Sequence, residues 1–262
     1  MEHEVNNKTK SSLDEKSSIR EDYIEYMVEV AKANYCKLKR LSEHENPMKE
    51  AVELVNDIIG YIAYYARIDK ERSIDLLARS AFLNALNFII MPTAYGVFTD
   101  LLLGNLPACF MQLRLIVETS AKALATDYVT EFKEISLYSI EALEQYLEQY
   151  KVSTSKFLKE ILPEVIGKEV ANETLKLWSK LSRNWLHFRG IAQKLRERIE
   201  TYGFPPSYSI VLPIKYDEED KKDLQELTKR IKETRELLKI SFEKWKEMLK
   251  TYKQITPVRN RS

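Results

Sequence analysis

Ala81-Phe82-Leu83-Asn84-Ala85-Leu86-Asn87-Phe88-Ile89-Ile90-Met91-Pro92-Thr93-Ala94-Tyr95-Gly96-Val97-Phe98-Thr99-Asp100-Leu101-Leu102-Leu103 is the most apolar run of the chain. Its reading decides between a membrane protein and a water-soluble helical bundle. A span needs about 20 uninterrupted apolar residues. Asn84, Asn87, Pro92 and Asp100 interrupt this run, and Arg79 and Arg114 bracket it. The run reads as a buried central hairpin, with no stable membrane insertion expected.

The surrounding 262 residues fit that reading. Six Gly and eight Pro are sparse punctuation, whereas all-β folds need many tight turns. The composition predicts an all-α protein, a bundle of about 8–10 helices with one long C-terminal helix. Residues 1–17 read as a disordered polar arm with no secretory h-region. Residues 18–255 read as one helical domain, with a possible subdomain break near 202–216, and 256–262 as a tail. A formal net charge of +1 gives no global attraction to nucleic acid or anionic membrane, so any such binding needs a local patch. Cys36 and Cys109 lie far apart in apolar helical patterns and read as core thiols of a cytoplasmic protein.

Helix boundaries follow from caps and prolines. Ser18-Ile19-Arg20-Glu21 is a capping box for a helix reaching about Leu41. Asn46-Pro47 starts a second helix, to about Ala66. A third runs from Asp69 or Ser73 to a break at Pro92. Thr93 to Leu103 is a short apolar helix, and Pro107 opens another reaching about Phe132. Ile135 to Tyr150 is amphipathic. Ser153 caps a short helix that stops near Pro163, and Lys168 starts one that reaches about Trp185. Tyr208 to Ile214 is the one β-like run. Asp217 then starts a last helix of about 35 residues. Its Leu224, Leu227, Ile231, Leu238 and Trp245 recur at three-four spacing. Such a seam either pairs with a partner or crosses its own bundle, and the second is the expected arrangement.

Chemistry concentrates in Lys176-Leu177-Trp178-Ser179-Lys180-Leu181-Ser182-Arg183-Asn184-Trp185-Leu186-His187-Phe188. Arg183 and His187 are four apart and share a face if the helix persists. Arg can grip phosphate oxygens bidentately, and His can move a proton at a 2′-hydroxyl or a leaving oxygen. Asn184 adds a donor. Arg114 and Glu118 lie one turn apart in an apolar helix. They read either as an intrahelical ion pair or as support for this site, with Glu118 orienting His187. No glycine-rich phosphate loop and no Cys/His cluster of zinc spacing is present, so neither metal nor cofactor is expected.

Arg183-Asn184-Trp185-Leu186-His187 resembles the Arg-polar-x-x-x-His signature of the HEPN superfamily, with three residues between Arg and His where that signature has four to six. The resemblance implies an all-α domain that binds RNA and, in its catalytic members, cleaves it without metal in defence or toxin–antitoxin roles. It implies catalytic roles for Arg183, His187 and Asn184, with Arg114 and Glu118 in support, and a homodimer. Gln112-Leu113-Arg114-Leu115-Ile116-Val117-Glu118, followed by Leu181-Ser182 and Leu186-His187, is also similar to an uncharacterised helical family of no established activity. The alternative function is a non-enzymatic helical interaction or regulatory protein that works through its last helix.

Overall fold

The computed structural model describes residues 23–42, 45–67, 70–183, 196, 215–218 and 220–255. The fold is all-α. Among the described residues the nine helices are α1 (23–39), α2 (Pro47–Ala66), α3 (Lys70–Arg79), α4 (Ala81–Leu102), α5 (Leu106–Thr130), α6 (Ser136–Gln149), α7 (Thr154–Lys156 continuing through Phe157–Ile161 and Leu162–Ile166), α8 (Lys168–Arg183) and α9 (Lys221–Ile255). The arm at 1–17, the Ser18 capping box, the β-like run and the tail lie outside the described residues.

Side-chain caps set several starts. Asn46 Oδ1 accepts from the backbone N–H groups of Met48 and Lys49, with Pro47 in the first turn of α2. Asn105 caps α5 in the same way through the N–H of Ala108. Each takes up donors that a helix N-terminus leaves without an intrahelical partner.

The expected break at Pro92 is not observed. The chain breaks at Ser80 and then runs as one helix, α4, through Pro92 to Leu102. Pro92 lacks an N–H and its ring crowds the carbonyl four residues back. The backbone accommodates this with a wider turn over Leu86–Ile90, where Met91 N–H reaches the carbonyl of Leu86, five residues back. Pro163 is handled in the same register. The turn over Phe157–Ile161 is wide, Leu162 N–H bonds to the Phe157 carbonyl, and α7 continues past Pro163 to Ile166. Such turns are a recognised way for a helix to absorb a local insertion or a proline.

Ser80 is the true boundary because Asp127, on α5, fixes it. The Asp127 carboxylate is fully buried. It accepts from Ser80 Oγ (2.6 Å), Ala81 N–H (2.6 Å) and Phe82 N–H (3.2 Å). Ser80 Oγ in turn accepts from Trp245 Nε1 on α9 (3.0 Å) and from Leu83 N–H (3.1 Å). One carboxylate therefore caps α4 from the side and joins it to α5 and α9.

The core is shared among α2, α4, α5 and α9. The α4–α5, α9–α5, α9–α2 and α2–α4 pairs carry most of the packing between helices. The α9 seam lies inside this bundle: Leu224, Leu227, Ile231, Leu238 and Trp245 are all buried. Thr228, Thr234 and Ser241 are buried between them, and the hydroxyls of Thr228 and Thr234 donate to the carbonyls of Leu224 and Arg230. The expected intramolecular packing of the last helix is what the structure has. Phe242 stacks on Tyr61 (4.4 Å between centroids) and Trp245 (5.7 Å). Burial, with Asp57 beside it, pushes the Tyr61 hydroxyl up to about 12. Beside this stack Arg235 of α9 bonds Glu50 (2.6 Å) and Asp57 (2.7 Å) on α2. Of the two thiols expected in the core, Cys109 is buried and Cys36 is exposed on α1.

Burial pushes the Asp127 carboxyl from 3.8 up to about 7, against the lowering effect of its hydrogen bonds. A folded-state value above the unfolded one means that the folded protein holds the extra proton between about pH 4 and 7. Stability from this group is therefore full below about pH 4 and falls as pH rises to about 7. The full difference is on the order of 4 kcal/mol. Urea unfolding of wild type and Asp127→Asn at pH 5 and pH 8 isolates this effect, and the wild type should lose more stability than the variant on going to pH 8.

Candidate functional site

The short break at Gly167, where φ is +84°, separates α7 from α8. Thr174, Leu177 and Leu181 turn the inward side of α8 into the core, while Val170 and Trp178 are half-buried. Trp178 is the hub of the polar contacts on this side. The guanidinium carbon of Arg114 lies 4.4 Å from the Trp178 ring centroid, in cation–π geometry. The indole Nε1 donates to Glu118 Oε2 over a long 3.4 Å, and Thr154 Oγ1 donates to Glu118 Oε1 at 2.8 Å. Lys122 Nζ lies 3.5 Å from Glu118 and 2.9 Å from Glu144 on α6. The two supporting residues singled out in the sequence thus meet on one indole. Glu118 takes its ion pair from Lys122, one turn further along α5, and Arg114 is placed on the ring. Four helices, α5 to α8, are joined through this cluster.

Arg183 is the last residue of α8 and is exposed. It follows Trp178 by five residues, which rotates it about 140° around the helix from the indole. Arg183 therefore shares a side with Lys180, one turn earlier, which lies 3.8 Å from Glu233 on α9. An open cleft of about 470 Å³ separates α8 from α9 there, with Lys180, Leu177, Lys232, Glu233 and Leu237 among its walls. The antiparallel register set by Lys180 and Glu233 carries Arg183 toward the turn of α9 that holds exposed Lys229. Lys232 is partly engaged by Glu50, 3.7 Å away. Asn184 and His187 lie outside the described residues.

Sequence reasoning found Arg114 and Glu118 by their spacing. Trp178 stood in the 176–188 stretch without a role of its own, and Thr154 and Lys122 were missed. Thr154 gave no signal, because it reaches Glu118 across 36 positions of chain. Lys122 was legible in principle, as a lysine one turn after Glu118.

A second depression, of about 870 Å³, lies between the end of α5 and the last turns of α9. Tyr128, Val129, Phe132 and Met248 line it. Its rim charges are paired with one another, Lys133 with Glu131 and Lys244 with Glu247. Among the described residues no set of three His, Cys, Asp or Glu side chains converges as a metal site.

Comparison with protein-family models, with curated proteins and with solved structures finds no match for this chain.

The Arg114–Trp178 contact should be worth about 1 kcal/mol, because the guanidinium is partly desolvated. A double-mutant cycle in urea with Arg114→Ala and Trp178→Leu reads that coupling directly. Glu118→Ala leaves the Thr154 hydroxyl and the indole N–H without their acceptor, and should destabilise by about 1–3 kcal/mol.

Proposed function

We propose that this chain is a HEPN-like helical domain of the cytoplasm that binds RNA and cleaves it without metal. The observation that supports this reading is the placement of Arg183. It stands exposed at the C-terminal end of α8, on the side of Lys180 and toward Lys229. Glu233 and Glu236 line the adjacent cleft, so the anion site is confined to the end of α8 and does not extend along the cleft. The Trp178 cluster anchors α8 a turn and a half before Arg183. In this reading Arg114 and Glu118 act on the site through the helix they hold.

The chemistry follows from the residue types. Arg183 grips the non-bridging oxygens of one phosphate. His187 takes the proton from the adjacent 2′-hydroxyl as that oxygen attacks phosphorus, or delivers a proton to the departing 5′-oxygen. The products are a 2′,3′-cyclic phosphate and a 5′-hydroxyl. Asn184 donates to the phosphate from beside Arg183. A homodimer belongs to the same reading.

A second reading, a non-enzymatic helical interaction protein, is favoured by the exposed apolar side chains of α4 and α5. In that reading the contact surface is on α4 and α5, because the last helix is packed into its own bundle.

Incubating a structured RNA with wild type, Arg183→Ala and His187→Ala in EDTA separates the two. The RNA reading expects cleavage by wild type in EDTA, about a hundredfold or greater loss in His187→Ala with binding retained, and weaker binding with a shallower salt slope in Arg183→Ala. No RNA binding by the wild type, or equal cleavage by His187→Ala, leaves the interaction protein as the reading.

A further inference from the structure

We propose that the outward face of the α4–α5 pair is the contact surface for a second copy of this chain. The proposal rests on that face alone and not on the RNA reading. On α4, Phe88 is 69% exposed, Ile89 43% and Tyr95 50%; on α5, Met111 is 53% exposed and Leu115 46%. Pro92 and Thr99 continue the α4 side of the stripe and are also exposed. No charged residue occurs between Arg79 and Asp100.

The two helices approach closely along this face. A Cβ at Gly96 would stand 2.6 Å from Gln112 Nε2 on α5. The glycine therefore lets the Gln112 amide lie across the junction, where it donates to Asp100 Oδ2 at 2.7 Å. Without a side chain at 96, no ridge separates the stripe of α4 from that of α5. Arg114, the cation nearest Met111 and Leu115 along α5, is drawn to the other side by Trp178. Beyond Leu115 the same side of α5 carries Glu118 and Lys122, which are paired with each other at 3.5 Å, so the apolar stripe ends there without an unpaired charge.

The opposite side of α4 is committed to the core. Phe82, Leu86, Ile90, Ala94, Val97 and Leu101 are fully buried. Among the described residues α4 is the one helix long and apolar enough to cross a membrane, and less than half of its most apolar window is buried. Spanning a bilayer would strip that core from α2 and α5. A partner that covers the outward face leaves it intact.

A second copy meets the requirements of this face. A two-fold contact needs a patch complementary to itself, and an apolar patch whose bordering charges are already paired is so. The net charge of +1 adds no long-range repulsion between copies. On residue surfaces of roughly 200 Å² each, the five exposed side chains present about 500 Å². Counted over both copies this is about 1,000 Å², the lower bound for a specific interface.

The test is sedimentation equilibrium of the full chain, for wild type, Tyr95→Glu, Leu115→Glu and Ile240→Glu, each first checked for helix content by circular dichroism. Ile240 is exposed on the α8–α9 side and serves as the control. The expected result is a wild-type particle of twice the chain mass of 30.8 kDa. Tyr95→Glu and Leu115→Glu should each weaken it about a hundredfold or more, since each places an unpaired carboxylate in an apolar contact. Ile240→Glu should leave it unchanged. If either variant loses helix content, Phe88→Ser takes its place, with the same weakening expected at about tenfold. A wild-type monomer at hundreds of micromolar, or a dimer indifferent to these substitutions, overturns the proposal. So does a monomer that floats with phosphatidylcholine vesicles through Tyr95 and Leu115, which would make the occupant a lipid surface.

Discussion

A buried carboxylate with no ion pair among the described residues holds the centre of this fold. Asp127 draws its compensation from hydrogen-bond donors: one hydroxyl and two backbone N–H groups at the first turn of α4. Those amides are the ones a helix start leaves without an intrahelical partner, and the positive end of the helix dipole points at the same place. Ser80 then passes the connection to Trp245, so the longest helix joins the same point. Burying a carboxylate in this way is costly unless every lone pair is used. The structure spends several donors on it, and in return α4, α5 and α9 can meet in one register.

That constraint explains why the helix classes and most boundaries were legible in the sequence while the middle of the chain was not. Asn46-Pro47, Leu106-Pro107 and the last helix carry local signals, and each starts where or close to where those signals place it. Ser80 carries no comparable signal. A lone serine between Arg79 and an apolar run reads as a helix interior, and its partner lies 47 positions away. Pro92 and Pro163 misled in the opposite direction. Proline ends helices on average, but both follow a wide turn in the same register, which moves the crowded carbonyl out of the way. Such a turn has no sequence signature beyond the proline itself.

The candidate site divides along the same line. Arg114 and Glu118 stood out as charges in an apolar helix, and both proved to engage one neighbour, Trp178. Spacing alone could not point to an indole as the neighbour, because the contact joins α5 to α8 across 60 positions. The rotation from Trp178 to Arg183 then gives α8 two working sides, one anchored on α5 and one turned toward the cations at the cleft with α9. The apolar stripe of α4 divides similarly. One side fills the core, and the other faces outward as a surface of its own.

Native-state hydrogen exchange at the amides of Ala81 and Phe82 tests the role of Asp127 most directly. First-turn amides of a helix ordinarily exchange through local fraying, since nothing inside the helix holds them. If the Asp127 carboxylate is the joint of the fold, these two amides should exchange only through global unfolding, as slowly as the central amides of α5 and α9. Exchange at the rate of an open helix end would contradict that claim, and would make the carboxylate a passenger in a bundle held by its apolar seams alone.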